Sequence, residues 1–195
     1  MAVLNYAARE ISCKVVYCGP GLSGKTVNLQ QIYKMIVPER RGNLVSLATE
    51  TERTLFFDFL PLDLGTVQGF KLRFQLYTTP GQALYEASRK LILRGVDGLV
   101  FVADSQRSRL EENVRIFEAL KRELAVVGYN FHSLPFIFQY NKRDLPDIAS
   151  VEELNERLNP DGKYKYFEAV AIEGKGVMET LKAISQEVLL KLTRG

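Results

Sequence analysis

Eight residues, Gly19-Pro20-Gly21-Leu22-Ser23-Gly24-Lys25-Thr26, match G-x-x-x-x-G-K-[ST] without a mismatch. Glycines let such a loop curl so that successive backbone N–H groups point at a phosphate chain. Lys25 has the reach and charge for the outer phosphates, and the Thr26 hydroxyl suits Mg²⁺. The flanks agree. Cys13 to Cys18 reads as a buried strand, and Val27 to Ile36 as a helix with Leu29, Ile32 and Ile36 on one face. The positive end of that helix dipole then adds to the phosphate site.

A second group reads the base. Asn141-Lys142-Arg143-Asp144 follows an apolar run that ends at Tyr140. A carboxylate at Asp144 accepts from N1–H and the exocyclic amine of guanine, whereas adenine offers an acceptor at N1 and is rejected. Polar groups left unpaired in such a site are expensive, so discrimination is strong. The Lys142 stem can lie over the purine ring. An ATP-using kinase or transport ATPase is disfavoured by this second motif.

These loops need strands to carry them. After the first helix, Val37 to Thr54 is polar, with a short strand at Leu44 to Leu47. Leu55 to Leu60 reads as a strand closed by Pro61, Asp63 to Gly69 as a turn, and Phe70 to Tyr77 as the second arm of a hairpin. Thr78 to Gln82 breaks it, and Ala83 to Leu93 is partly helical. Val96 to Ala103 and Leu134 to Tyr140 are apolar runs typical of strands covered on both faces. Capping boxes at Ser108 and Ser150 open two helices. The first carries Leu110, Val114, Phe117, Leu120, Leu124 and Val127, and stops at Gly128. Tyr164 to Ala171 is a last strand, and Val177, Leu181, Ile184 and Val188 face a final helix to the sheet. Met1 to Glu10 is a lead-in. Strands alternating with helices predict an α/β fold, a mostly parallel sheet with helices on both faces, and ligand loops at the strands' C-terminal ends.

At 195 residues the chain reads as one domain spanning 1–195. Its 26 basic and 23 acidic residues give +3, no case for a nucleic-acid partner. Cys13 and Cys18 fall on opposite strand faces and are expected to stay reduced in the core, in a reducing compartment. No apolar stretch nears the ~18 residues of a membrane span. No signal peptide, myristoylation glycine or prenylation cysteine is visible, so no membrane anchor is expected. His132, Tyr129, Phe131, Tyr164 and Tyr166 read as structural, and Arg89, Lys90 and Arg94 as a solvated helix face.

With both motifs in place, the chain resembles the small Ras-like GTPases of the P-loop NTPase class over nearly its full length. More narrowly, it is similar to the MglA-type bacterial GTPases of gliding motility and cell polarity. That likeness rests on Gly19 to Thr26, on Thr51-Glu52-Arg53-Thr54-Leu55-Phe56-Phe57-Asp58-Phe59-Leu60-Pro61, on Thr78-Thr79-Pro80-Gly81-Gln82, and on Ala87 to Leu93. The resemblance implies a monomeric, cytoplasmic switch that binds GTP or GDP with Mg²⁺ and is polar in its GTP form. It implies a Roadblock-domain activating protein of the MglB type, polarity and motility effectors, and an exchange factor. A nucleotide-locked scaffold without measurable hydrolysis is the alternative.

Roles carried over by resemblance fall on named positions. Gly19 to Thr26 and Val27 hold the phosphates, with Gly21 leaving room beside the γ-phosphate. Thr54 binds Mg²⁺ in the GTP state, although Thr49 and Thr51 are chemical rivals. Gly81 precedes Gln82, which orients the attacking water. Arg53 is an arginine finger supplied in cis, or an exposed switch residue. Asn141, Lys142 and Asp144 read the base, and the Ala171 N–H meets the guanine carbonyl. Val170 stands where a serine is usual. Thr78 replaces the Asp of the D-x-x-G-Q pattern, which holds Mg²⁺ through water. Asp58 lies within an otherwise apolar strand. It either faces solvent on an edge or supplies the missing charge through water, with its strand sliding along its neighbour to reach the site.

Overall fold

The computed structural model describes residues 3–47, 57–81 and 86–194. Among them one sheet of eight strands is flanked by five α-helices. β2 (Glu10–Cys18) is its centre. On one edge β2 pairs in parallel with β5 (Phe70–Thr78). On the other it pairs with β1 (Val3–Asn5), antiparallel, and then with β6 (Gly98–Asp104), parallel. Parallel β7 (Phe136–Asn141) and β8 (Lys165–Glu168) extend the sheet beyond β6. On the far side, β4 (Phe57–Val67) pairs antiparallel with β5, and β3 (Val45–Leu47) antiparallel with β4. The mostly parallel arrangement agrees with the expected class, and the lead-in proves to contain a strand.

Each helix follows its apolar stripe. α1 (Lys25–Met35), α2 (Glu86–Leu93), α3 (Leu110–Val126), α4 (Val151–Leu158) and α5 (Val177–Arg194) cover both faces. One core joins Leu29 and Ile32 of α1 to Val177, Leu181, Ile184 and Val188 of α5 across the sheet's inward residues. The opposite core is aromatic. Phe101, Phe117, Phe131, Phe136 and Phe138 meet largely edge to face, the arrangement their ring quadrupoles favour. Cys13 falls in the first core and Cys18 in the second, as alternation requires. Burial pushes both thiols up to about 12, so neither is a ready nucleophile.

Two boundaries differ from expectation. β4 does not close at Pro61 but runs to Val67, turning at Gln68-Gly69, where both φ angles are positive. The Pro61 carbonyl accepts from Gly42 N at 2.9 Å, so this residue's backbone faces away from β5 and its missing N–H costs no ladder bond. Ser108 does not cap α3. It lies inside a 3-10 turn, Arg107–Arg109, that leads into the helix. The Ser150 capping box is present with both reciprocal bonds.

A polar triad crosses the first core. The Asn28 amide gives one bond to Gln139 Oε1 at 2.7 Å and receives one back at 2.9 Å, and Gln139 Nε2 also reaches Thr180 Oγ1 at 3.0 Å. All three residues are fully buried, so α1, β7 and α5 are held in one register. Gln139→Leu strands the buried Asn28 Oδ1 and should cost about 1–3 kcal/mol. Urea unfolding at a fixed nucleotide concentration, with its slope unchanged, is the measurement.

Candidate functional site: a phosphate loop and a base-reading loop

β2 delivers the phosphate loop at the C-terminal edge of the sheet. Gly19 has φ 141°, and a Cβ there would collide with Val102 O of β6, so only glycine lets the chain leave the strand at this point. Gly24 (φ 101°) precedes the first turn of α1, where a Cβ would strike the Asn141 amide. Leu22 is left-handed and two-thirds exposed, whereas Ser23 is buried. At Gly21 a Cβ would meet nothing within 4 Å, so the loop's mouth is open there. The Gly81 backbone lies against Gly21, and a Cβ on it would overlap Gly21 N and Cα.

Lys25 is 7 % exposed, and its ammonium donates to Gly19 O at 3.0 Å and Pro20 O at 2.6 Å. Burial pulls its pKa down to about 8. Thr26 donates to Asp58 Oδ2 at 2.7 Å, and Val27 continues the helix, partly buried. Asp58 is 1 % exposed, which overturns the solvent-facing reading. The Thr78 hydroxyl donates to Asp58 Oδ2 and accepts from Asp58 N, both at 2.8 Å, and Ser46 donates to Oδ1. A carboxylate is tolerable inside this apolar strand because three hydroxyls donate to it. It already touches Thr26, so in this conformation the strand has no distance to slide. The donor set here is oxygen throughout, with a single carboxylate. Such a set suits Mg²⁺ anchored mainly by phosphates, and offers nothing to a soft metal.

The base-reading loop is bolted to the phosphate loop. Asn141 Nδ2 donates to Ser23 O at 2.8 Å, while its Oδ1 accepts from Ala171 N at 2.9 Å. This corrects the expectation for Ala171, because its N–H is committed to Asn141 rather than projecting at a base. Lys142 adopts φ 66° and gives its ammonium to Asp104 Oδ2 at 2.7 Å. Arg143 anchors the turn, through its backbone N–H to Ala169 O and its guanidinium to Ala149 O and Glu168. Asp144 is left exposed. Arg53, Thr54 and Gln82, with Thr49 and Thr51, lie outside the described residues.

The sequence reading passed over Asp104, at the end of β6, and over Ser46. The signal for Asp104 was its position, since it ends a buried strand at the same sheet edge as Gly19 and Asn141. Arg89 is also not solvated. Its guanidinium grips Glu123 of α3 with Nε at 3.0 and 3.1 Å and Nη2 at 2.6 Å, and the two side chains are 13 % and 7 % exposed.

A Ras family model matches residues 14–190. The chain belongs to the Ras family. It is therefore a GTP-binding switch of the GTPase class, whose members bind GTP or GDP with Mg²⁺. It is 56% identical to Mutual gliding-motility protein MglA of Myxococcus xanthus (strain DK1622), over 195 residues and 100% of both chains. Ras-related protein Rab-13 of Rattus norvegicus is 25% identical over 126 residues, 64% of this chain and 60% of its own. Its Bos taurus counterpart is 24% identical over the same length. No helix among the described residues is long and apolar enough to cross a membrane.

The depressed Lys25 pKa has a measurable consequence. Phosphate anions beside the ammonium raise its pKa above the value of about 8 that burial imposes. Between the two values the bound protein holds more protons than the free one. Nucleotide binding then takes up protons, and affinity falls as pH rises through that window. Calorimetry on EDTA-stripped protein at about pH 9, in buffers of different ionisation enthalpy, should count the uptake, and Lys25→Met should abolish it.

Proposed function

We propose that this GTPase works as a polarity and motility switch, with residues 19–27, 81, 141, 142 and 144 as its nucleotide site. The observation that carries this reading is the Asn141 side chain, which joins the phosphate loop to the base-reading loop at one end of the sheet. Lys25 would exchange its carbonyl partners for phosphate oxygens. Asp144, exposed beside Lys142, would take the guanine N1–H and amine. Mg²⁺, when bound, neutralises charge on the β- and γ-phosphate oxygens. Thr26, Thr54 and, through water, Asp58 would hold it. In hydrolysis water attacks the γ-phosphorus and GDP leaves. Gln82 orients that water, and Arg53 faces the charge that develops on the transferring group.

The motility role follows from the full-length likeness to a protein named for mutual gliding motility. A Roadblock-domain activator, motility effectors and an exchange factor are the partners this role calls for. The polar placement of the GTP form belongs to the same proposal. Those partners would read the segments 37–54 and 80–95.

Two experiments test the site. Asp144→Asn should weaken GTP and favour xanthosine nucleotides, since a carboxamide can donate to the xanthine oxygen. Equal affinity of the unmutated protein for ATP and GTP would overturn the assignment. Asp58→Ala should speed Mg²⁺-dependent GTP loss by about tenfold while far-ultraviolet circular dichroism stays unchanged, and Thr78→Asp should recover part of that loss. An unaltered Mg²⁺ dependence in the folded variant would remove Asp58 from the metal site.

One observation favours a second reading, a nucleotide-locked scaffold. Thr78 is neutral where the superfamily pattern has a carboxylate, and it is spent on Asp58. Nucleotide analysis after long incubation with GTP, with and without a Roadblock partner, separates the two. Intact GTP in both cases would establish the scaffold.

A further inference from the structure

A phosphate loop that turns its N–H groups toward a ligand turns carbonyls outward, and those carbonyls need donors. Gly19 O and Pro20 O have Lys25, Ser23 O has Asn141, and Gly24 O has Asn28. Gly21 O, at the open mouth, is served from outside the motifs: Arg109 Nη2 donates to it at 2.9 Å. Arg109 lies 88 residues away in sequence, at the junction of the 3-10 turn and α3.

The same guanidinium is held from two other sides. Its Nη1 pairs with Glu112 at 2.6 Å. Its buried Nε makes no hydrogen bond but lies 4.0 Å from Asp104 Oδ2, the oxygen that also takes the Lys142 ammonium at 2.7 Å. Asp104 is 1 % exposed and fixed from every direction. Its backbone exchanges bonds with the Asn113 amide, and its Oδ1 accepts from the Gln106 N–H and amide, each at 3.1 Å. One buried carboxylate therefore stands between the cation on the phosphate loop and the cation of the base-reading loop.

We infer that Arg109 is a positioning residue for nucleotide retention, and that Asp104 couples the phosphate loop to the base-reading lysine through it. The inference rests on the nucleotide site proposed above. Arg109 fixes the peptide after Gly21, whose N–H neighbours must face the phosphates. Asp104 neutralises Arg109 and Lys142 together, so loss of either cation changes the charge balance felt by the other. A lysine at 109 keeps the charge and can still reach Gly21 O, but it lacks the planar fork that spans Gly21, Asp104 and Glu112 at once.

The test is the rate of fluorescent GDP release from the full chain with Mg²⁺ present. Arg109→Ala should speed release by about tenfold or more, and Arg109→Lys should recover part of it. Lys142→Ala should speed release on its own. The double variant should fall short of the product of the two effects by about threefold or more, because both act through Asp104. If Arg109→Ala does not fold, Arg109→Lys and Glu112→Ala carry the same test, each expected to loosen GDP more weakly. Release at the unmutated rate from the folded Arg109 variants, or strict multiplication of the two single effects, would overturn the inference. Failure of the unmutated protein to retain GDP would instead overturn the nucleotide site itself.

Discussion

The phosphate loop is backbone turned inside out. Its N–H groups are reserved for a ligand, so its carbonyls lose the partners that a helix or strand would supply. An unpaired buried carbonyl costs about 1–3 kcal/mol, and several in succession would exceed the margin by which a domain folds. The surrounding structure supplies the donors. α1 gives Lys25 and Asn28, β7 gives Asn141, and the turn before α3 gives Arg109. Three segments, two of them distant in sequence, thus converge on one loop. They can do so because β2, β6 and β7 are parallel and end at the same edge.

The metal side of the site solves a different problem. An isolated carboxylate within an apolar strand would be forced to neutralise or to leave. Asp58 is accommodated there because the residues facing it from β3, β5 and α1 are Ser46, Thr78 and Thr26, each a hydroxyl. Where the superfamily pattern puts the charge on the strand that becomes β5, this chain puts it on β4 and leaves the hydroxyl on β5.

Most of the frame was legible in the sequence because buried strands and amphipathic helices announce themselves by period. The readings that failed share a cause, namely a local signal overridden by a neighbour. Pro61 looked like a strand end, but the adjoining chain at Gly42 takes its carbonyl, so the strand continues. Ser108-Arg109-Leu110-Glu111 looked like a cap, yet the turn there is occupied with presenting Arg109 to the phosphate loop. Ala171 looked like a ligand contact because its peptide is placed like one, and sequence alone does not reveal that Asn141 claims the N–H first. Arg109 carries no pattern of its own, and Asp104 only its place at the end of a buried strand. Only the fold brings them beside Gly21 and Lys142.

The grip of Arg89 on Glu123 bears on how this molecule changes shape. α2 begins at Glu86, five positions after Gly81, and its one deeply set cation is clamped to α3 by three short bonds. Parting them leaves a carboxylate stranded among Cys18, Ile116 and Leu120, where nothing aqueous repays it. Small excursions of α2 are therefore uphill from the start, and the helix has no shallow gradient along which to drift. Any input that displaces α2 must first meet the cost of parting this pair.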